Sequence, residues 1–350
     1  MKLVRLDSDM FPATAEEIEG YRGLGLDVAE TDVKAPKDIA EACREADFVV
    51  VTSDYLRRDV IDMMKRCKAI IRKGTGCDKI DVDYATERGI IVTNLPGFAF
   101  EDVADHAMML VLALARRLPW LENAMAERDW VGERNRNIDK CIRLEGKTMG
   151  IVGLGNIGKA IAKRALAFDM RVLTYHRNPA PDEEEKYGAK PVHLDQLIRE
   201  SDVVVIACPL TDETRGMLSR ERIAAMKPTA LLVNVGRGGV CDERALADAL
   251  AEHKIAGAGI DVYEHVSVHQ PSDTQGECYF VGLDNVILTP HTAAGSLETT
   301  REGTEKTLEQ VGMLVRGVFP SSVVNPEVYE KVKQSFILAE NSAKPPVEQT

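Results

Sequence analysis

The residues with the plainest chemical meaning are Gly153-Leu154-Gly155-Asn156-Ile157-Gly158. They follow an apolar run, Met149 to Val152, and precede a segment in which Ile157, Ala160, Ile161, Ala165 and Phe168 share one helical face. A further strand, Arg171 to Tyr175, comes next, so the order is strand, glycines, helix, strand: the dinucleotide-binding pattern. In that pattern Gly153 permits the tight turn, Gly155 lets a pyrophosphate approach the backbone, and Gly158 lets helix and strand pack closely. Helix amides and dipole then hold the phosphate charge. Gly153, Gly155, Asn156, Ile157 and Gly158 are the cofactor-binding candidates of this turn. The alternative is a glycine turn that binds nothing, and the full strand–helix–strand context speaks against it.

The end of the second strand selects between nicotinamide dinucleotides. NAD-specific sites carry an acidic residue there for the ribose 2′-hydroxyl. Here Tyr175 is followed by His176, Arg177 and Asn178, with no carboxylate. The guanidinium of Arg177 suits a 2′-phosphate, which favours NADP over NAD. The other reading makes Arg177 a solvated residue and lets both coenzymes bind.

Two further residues could act on a substrate. Arg237 follows the strand-like run Leu231 to Asn234, and an arginine leaving a sheet's carboxyl edge can clamp a carboxylate bidentately. His291 follows another run, Val286 to Leu288, and an imidazole can give or take a proton near neutral pH. Alone, Arg237 would be a surface charge and His291 a structural hydrogen-bonder.

The elements that must position these groups alternate throughout. Strands are expected at Leu3–Leu6, Leu26–Glu30, Phe48–Val51, Ala69–Ile71 and Ile90–Val92, with helices at Thr14–Tyr21, Lys37–Arg44 and Arg57–Lys65. Thr14 and Glu17 are spaced as a capping box. A second series holds the strands already named together with Val203–Ile206 and Gly257–Ile260, and helices at Ile157–Phe168 and Glu243–Glu252. This alternation predicts parallel sheets covered by helices. Between the series lies a long helical stretch, Glu101 to Glu127, expected to kink or break at Pro119. Its first half is apolar almost all round, which predicts burial between domains or subunits. Trp130 to Glu145 reads as polar and irregular, and Thr299 to Arg316 as a final amphipathic helix.

Composition narrows the partners. The formal net charge of −12 argues against nucleic acid or an anionic membrane. An anionic substrate would therefore need local cations. The seven cysteines are scattered singly, without metal-like spacing, and read as reduced thiols of a cytoplasmic protein with no metal site. No secretory h-region opens the chain, and the longest apolar run, Ala107 to Ala115, falls short of the roughly 20 residues a bilayer needs.

Taken together, Lys73-Gly74-Thr75-Gly76-Cys77-Asp78-Lys79-Ile80-Asp81, the glycine turn, Cys208-Pro209-Leu210-Thr211, Asn234-Val235-Gly236-Arg237-Gly238, Gly259-Ile260-Asp261-Val262-Tyr263-Glu264 and Pro290-His291 resemble the D-isomer-specific 2-hydroxyacid dehydrogenase family. The likeness covers nearly all of residues 1–330. It implies an NAD(P)-dependent oxidoreductase of the glyoxylate, hydroxypyruvate, phosphoglycerate or D-lactate type, acting on a small anionic 2-keto or 2-hydroxy acid. The implied fold is α/β, with two doubly wound parallel-sheet domains. A flavodoxin-like substrate domain would comprise 1–97 plus 297–332, and a Rossmann domain 98–296, with a cleft between them and a flexible tail at 333–350. The resemblance also implies roles. Arg237 would bind the substrate carboxylate and carbonyl, His291 would be the acid/base, and Thr75 and Gly76 would offer backbone amides to the carboxylate. Cys208, Pro209, Thr211, Thr214, Val235 and Gly236 would flank the cofactor, and Asp261 would contact the nicotinamide carboxamide. A homodimer is implied as well.

One position departs from the family. The carboxylate that orients the histidine is expected five residues past Asp261, where this chain has Val266. Glu264 stands two residues early. Either Glu264 reaches His291 and joins the catalytic group, or His291 works without it at an altered pH, or the chain is a nucleotide-sensing, corepressor-like relative without turnover. Glu264 as a plain structural acid is equally open. His265 and His269 read as loop residues, and Ser267 to Gly282 as a candidate lid or specificity loop.

Overall fold

The computed structural model describes residues 1–177, 185–266 and 278–332. The chain divides into two compact units, Met1–Phe98 with the segment from Leu297 onward, and Ala99–Ser296.

The first unit runs β1 (Lys2–Arg5), α1 (Ala15–Gly23), β2 (Asp27–Glu30), α2 (Pro36–Cys43), β3 (Phe48–Val51), α3 (Arg58–Met63), β4 (Ala69–Arg72), α4 (Val82–Glu87) and β5 (Ile91–Thr93). The strands form one parallel sheet in the order β2-β1-β3-β4-β5. The helix Leu297–Val315 returns to pack on α1 and β4. All four residues of β3, Phe48-Val49-Val50-Val51, are buried, as expected of a strand covered on both faces.

Half of the capping box forms. Thr14 caps α1 by accepting the Glu17 amide at 3.1 Å. The Glu17 carboxylate does not reach back. It turns into the core, fully buried, and accepts from Arg5 Nε at 3.1 Å, the Tyr21 hydroxyl at 2.9 Å and Lys73 Nζ at 2.6 Å. Buried Arg5 and half-buried Lys73 hold this acid in place of the backbone amide.

The second unit begins with α5 (Phe100–Ala115), α6 (Leu118–Ala126) and α7 (Trp130–Ile138). The expected break falls ahead of Pro119: α5 stops at Ala115, and Arg117 adopts a left-handed φ of 57°. A proline ring clashes with the carbonyl four residues earlier, here that of Ala115. The stretch read as irregular contains α7, started by Asp129, whose side chain accepts the Gly132 amide at 3.1 Å. Nor is α5 sealed all round: Val103, Ala107, Leu110, Val111 and Leu114 are buried, but Met109 is 46% exposed.

There follow β6 (Thr148–Val152), α8 (Asn156–Ala167), β7 (Arg171–Tyr175), β8 (Ala189–Pro191), α9 (Leu194–Glu200), β9 (Val203–Ile206), α10 (Arg220–Ala224), β10 (Leu231–Asn234), α11 (Glu243–Ala251), β11 (Gly257–Ile260) and β12 (Val286–Leu288). Their parallel sheet has the order β12-β11-β10-β9-β6-β7-β8. The chain winds outward from β6 to β8, then returns to β9 on β6's other side. Open α/β sheets bind ligands beyond the carboxyl ends of strands at such a reversal. Both units thus have the doubly wound parallel architecture expected. On the sheet's inner face, a Cβ at Gly259 would stand 3.0 Å from Leu110 Cβ, so the small residues of β11 let α5 lie close. Among the described residues no helix is long and apolar enough to cross a membrane, and all seven cysteines are free.

Candidate active site

At the β6–β9 reversal the tight turn at Gly153 and the close packing at Gly158 are both present. Gly153 has φ +103°, and a Cβ there would lie 2.8 Å from Cys208 Cβ. A Cβ at Gly158 would lie 2.0 Å from the Gly153 carbonyl oxygen. Gly155 is different: nothing lies within 4 Å of a Cβ built on it. It caps α8 in extended conformation without a side-chain acceptor for the first amides of the helix. Open backbone donors at a helix start fit a pyrophosphate. Burial pushes the Cys208 thiol up to about 11, so a neutral group backs the turn and does not repel phosphate.

His176 and Arg177 follow β7. The Arg177 guanidinium is exposed and pairs with Glu213 at 3.0 Å. Glu213 belongs to the loop after β9, which stitches itself together: Thr214 Oγ1 donates to the Pro209 carbonyl at 2.7 Å and accepts the Thr211 amide at 2.7 Å. The Thr214 hydroxyl is therefore used within the loop.

The β10 end is anchored by Asn234, whose side chain accepts the Gly236 amide at 3.1 Å and donates to the Arg237 carbonyl at 3.0 Å. Val235 is buried, and a Cβ on Gly236 would be 2.7 Å from the Cys208 carbonyl oxygen. Cys208 is thus the common neighbour of the phosphate turn and of the segment leading into half-exposed Arg237.

His291 leaves the same edge. Asn234 is paired with Ile260, and Ile260 with Leu288. Arg237 and His291 each lie three residues past this row, on strands separated only by β11. Neighbouring strands are about 4.8 Å apart, so the two chains emerge roughly 10 Å from each other. His291 has φ 55°, a left-handed conformation that costs a non-glycine residue about 1–3 kcal/mol and persists only when its surroundings impose it.

Those surroundings centre on Asp261, which is 0% exposed. Its Oδ1 accepts the Thr289 hydroxyl at 2.6 Å and the Thr292 amide at 2.9 Å, and its Oδ2 accepts the Ala293 amide at 3.1 Å. The Tyr263 hydroxyl donates to the Thr289 carbonyl at 2.9 Å. His106 of α5 adds a contact from Nε2 to Thr289 Oγ1 at 3.0 Å. A fully buried charge must be satisfied by donors within the fold, and the Thr289 hydroxyl with the Thr292 and Ala293 amides supply them to Asp261.

Among the described residues Glu264 pairs through its carboxylate with Arg215 at 2.5 Å, with His265 at 3.8 Å. Its amide donates to Glu243 Oε1 at 2.8 Å, and burial raises the Glu243 carboxyl above its ordinary value. Arg215, Glu243, Glu264, His265 and Tyr279 border a cavity of about 330 Å³. Val266 is the last described residue before this gap. The 267–277 part of the expected lid, including His269, lies outside the described residues, as do Asn178 and the tail from 333.

In the first unit, the Thr75–Gly76 loop is tied to the chain after β5. Leu95 donates its amide to the Gly74 carbonyl at 2.9 Å, Thr75 Oγ1 donates to the Leu95 carbonyl at 3.1 Å, and Asn94 Nδ2 donates to the Thr75 carbonyl at 2.7 Å. Thr75 is exposed and Gly76 half-buried.

Residues 108–293 match the family described as D-isomer specific 2-hydroxyacid dehydrogenase, NAD binding domain. This chain belongs to that family. As a D-2-hydroxyacid dehydrogenase it is an NAD(P)-dependent oxidoreductase. It is 37% identical over 316 residues to the glyoxylate reductase of Pyrococcus furiosus, covering 89% of this chain and 92% of that one. It is 38% identical over 311 residues to the D-3-phosphoglycerate dehydrogenase of Methanocaldococcus jannaschii, covering 87% of this chain but 57% of that protein. The crystal structure of the Aquifex aeolicus D-lactate dehydrogenase complexed with NAD and lactic acid superposes with a TM-score of 0.80 at 29% identity, covering 90% of this chain and 96% of that one.

Sequence reasoning did not single out three polar neighbours of this region, Glu213, Glu243 and His106. Each is an ordinary polar residue in an unremarkable stretch, and only the folded sheet edge gives it a partner.

Proposed function

We propose that this dehydrogenase interconverts a small 2-keto acid, such as glyoxylate or hydroxypyruvate, with the corresponding D-2-hydroxy acid. The supporting observation is the common departure of Arg237 and His291 from one row of the sheet edge, beside an open phosphate turn. The likeness to glyoxylate reductases favours a small substrate.

Arg237 binds the substrate carboxylate and carbonyl oxygen through its forked donors. His291, as imidazolium, gives a proton to that oxygen as negative charge grows there, and the Arg237 charge stabilises the same oxygen. In the oxidative direction neutral His291 takes the hydroxyl proton. The nicotinamide, when bound, supplies or accepts the hydride. Gly153, Gly155, Asn156, Ile157 and Gly158 hold the pyrophosphate, with Pro209, Val235 and Gly236 along the cofactor. Thr75 and Gly76 keep the substrate-binding role that the resemblance gives them. Glu264 serves to hold Arg215.

NADP(H) is the preferred coenzyme in this reading. Arg177 already binds one exposed carboxylate, Glu213, and a doubly charged 2′-phosphate competes well for it. The apolar patch of Met109, Leu118 and Phe168, rimmed by Arg116, Arg164 and Asp105, is assigned to a second copy of this chain. Charges of both signs on one patch can be self-complementary across a two-fold axis.

The test is a panel of 2-keto acids run with NADPH and with NADH. Turnover of two- and three-carbon acids, faster with NADPH, is expected. Tight coenzyme binding without turnover of any acid would favour a sensor.

A further inference from the structure

We propose that His106 is a positioning residue for the His291 turn, acting through Thr289 and Asp261. The inference rests on the assignment of His291 as acid/base. His106 lies on α5 among residues that bury apolar side chains, and its own side chain is only 13% exposed. It is thus a polar group turned toward the sheet from an apolar helix. Its Nε2 is 3.0 Å from Thr289 Oγ1 and 3.5 Å from Asp261 Oδ1.

The direction of these bonds follows from proton counting. A threonine hydroxyl has one hydrogen. That of Thr289 goes to Asp261 Oδ1, at 2.6 Å. Toward His106, Thr289 Oγ1 can therefore only accept, so Nε2 of His106 carries a hydrogen. The chain of donation runs from His106 to Thr289 to Asp261, and the same carboxylate receives the amides of Thr292 and Ala293. His291 sits between these fixed points with φ 55°. A turn held on both sides of a left-handed residue fixes the direction in which that residue's Cα–Cβ bond leaves the backbone. His106 couples this orientation to α5, which packs on α8 and on β10 and β11. The helix that supports the phosphate-binding helix thereby also braces the proton-transfer residue.

The experiment compares His106→Leu, which removes the donor, with His106→Gln, whose amide nitrogen can donate from a similar reach. Glyoxylate and hydroxypyruvate reduction by NADPH is the readout, with NADPH affinity measured by fluorescence. For His106→Leu kcat is expected to fall by about tenfold or more, the scale on which misplaced catalytic groups lose rate. NADPH affinity should stay within about twofold, and His106→Gln should recover most of kcat. An unchanged kcat in His106→Leu, a glutamine variant as slow as the leucine one, or a loss confined to NADPH binding overturns the proposal. Should His106→Leu not fold, Thr289→Val removes the receiving hydroxyl; it should cost kcat similarly while NADPH affinity stays within about twofold, and an unchanged kcat in Thr289→Val overturns the coupling. A wild-type chain that reduces no 2-keto acid would reject the functional reading alone. Positioning is then read from the His291 imidazole NMR signal, expected to move in His106→Leu and return in His106→Gln; an unmoved signal overturns it.

Discussion

A side-chain carbon at Gly158 would stand 2.0 Å from the carbonyl oxygen of Gly153, whereas one at Gly155 would meet nothing within 4 Å. The same substitution in one motif should therefore fail in two different ways. Gly158→Ala forces helix and strand apart and should destabilise the second unit by about 1–3 kcal/mol. Gly155→Ala has φ −74° and room for the methyl group, so it should fold with its melting temperature nearly unchanged. Its methyl occupies the space a pyrophosphate needs, and NADPH affinity should fall by about tenfold or more. Thermal unfolding and NADPH titration of both variants check the split. Equal losses of stability would contradict it.

Asp261 offers a second test. Replacing it with Asn sets an amide N–H₂ against donors that now meet an oxygen. Leaving such buried donors unsatisfied costs about 1–3 kcal/mol. Asp261→Asn should lower both the melting temperature and kcat, because the His291 turn loses its anchor. Coenzyme affinity should change by less than about threefold, as expected of a carboxylate that faces the turn.

Coenzyme choice turns on an exposed pair. Arg177→Asp places a carboxylate where a ribose 2′-hydroxyl would be held. The ratio of kcat/KM for NADPH over NADH should fall by about tenfold or more. Glu213→Ala, which frees the Arg177 guanidinium from its ion pair, should raise that ratio. Steady-state kinetics with both coenzymes decide; a ratio unchanged in both variants would remove Arg177 and Glu213 from coenzyme selection.

Acid sensitivity should trace in part to Glu17. Burial pushes its carboxyl up, but Lys73, Arg5 and the Tyr21 hydroxyl outweigh this and hold it below its ordinary value of 4.5. A depressed folded-state value means stability that is complete above 4.5 and lost as pH falls through the lower folded value. Glu17→Gln should be less stable at pH 7, since Arg5 and Lys73 lose their buried counter-charge. Its melting temperature should also fall less than the wild type's as pH drops below 4.5, the range in which the wild-type carboxylate takes up its proton. Parallel curves would show that Glu17 contributes nothing to acid unfolding.

How much was legible follows from which forces act locally. β3 and β9 are unbroken buried runs, and strands covered on both faces must be apolar throughout, so their sequence declares them. The glycine turn was equally plain, because close backbone approaches leave only one residue type possible. The short helices α4, α7, α9 and α10 and the edge strand β8 carry too few residues for a period to show; α7 begins on the side chain of Asp129. Glu17 had the right spacing for a cap, yet its real partners, Arg5 and Lys73, are distant in sequence. Asp261 was identified within its motif, but which way a carboxylate faces depends on donors supplied by Thr292 and Ala293 from another strand's end.

The most direct measurement is single-turnover reduction of a 2-keto acid by NADPH in Arg237→Ala and His291→Ala, alongside NADPH affinity. Removing a general acid or a charge clamp costs about 10²–10⁴ in rate. Both variants are expected to lose at least about a hundredfold in the chemical step while binding NADPH within about threefold of wild type. Near-normal turnover in either variant would contradict the assignment of this sheet edge as the place where hydride and proton meet the substrate.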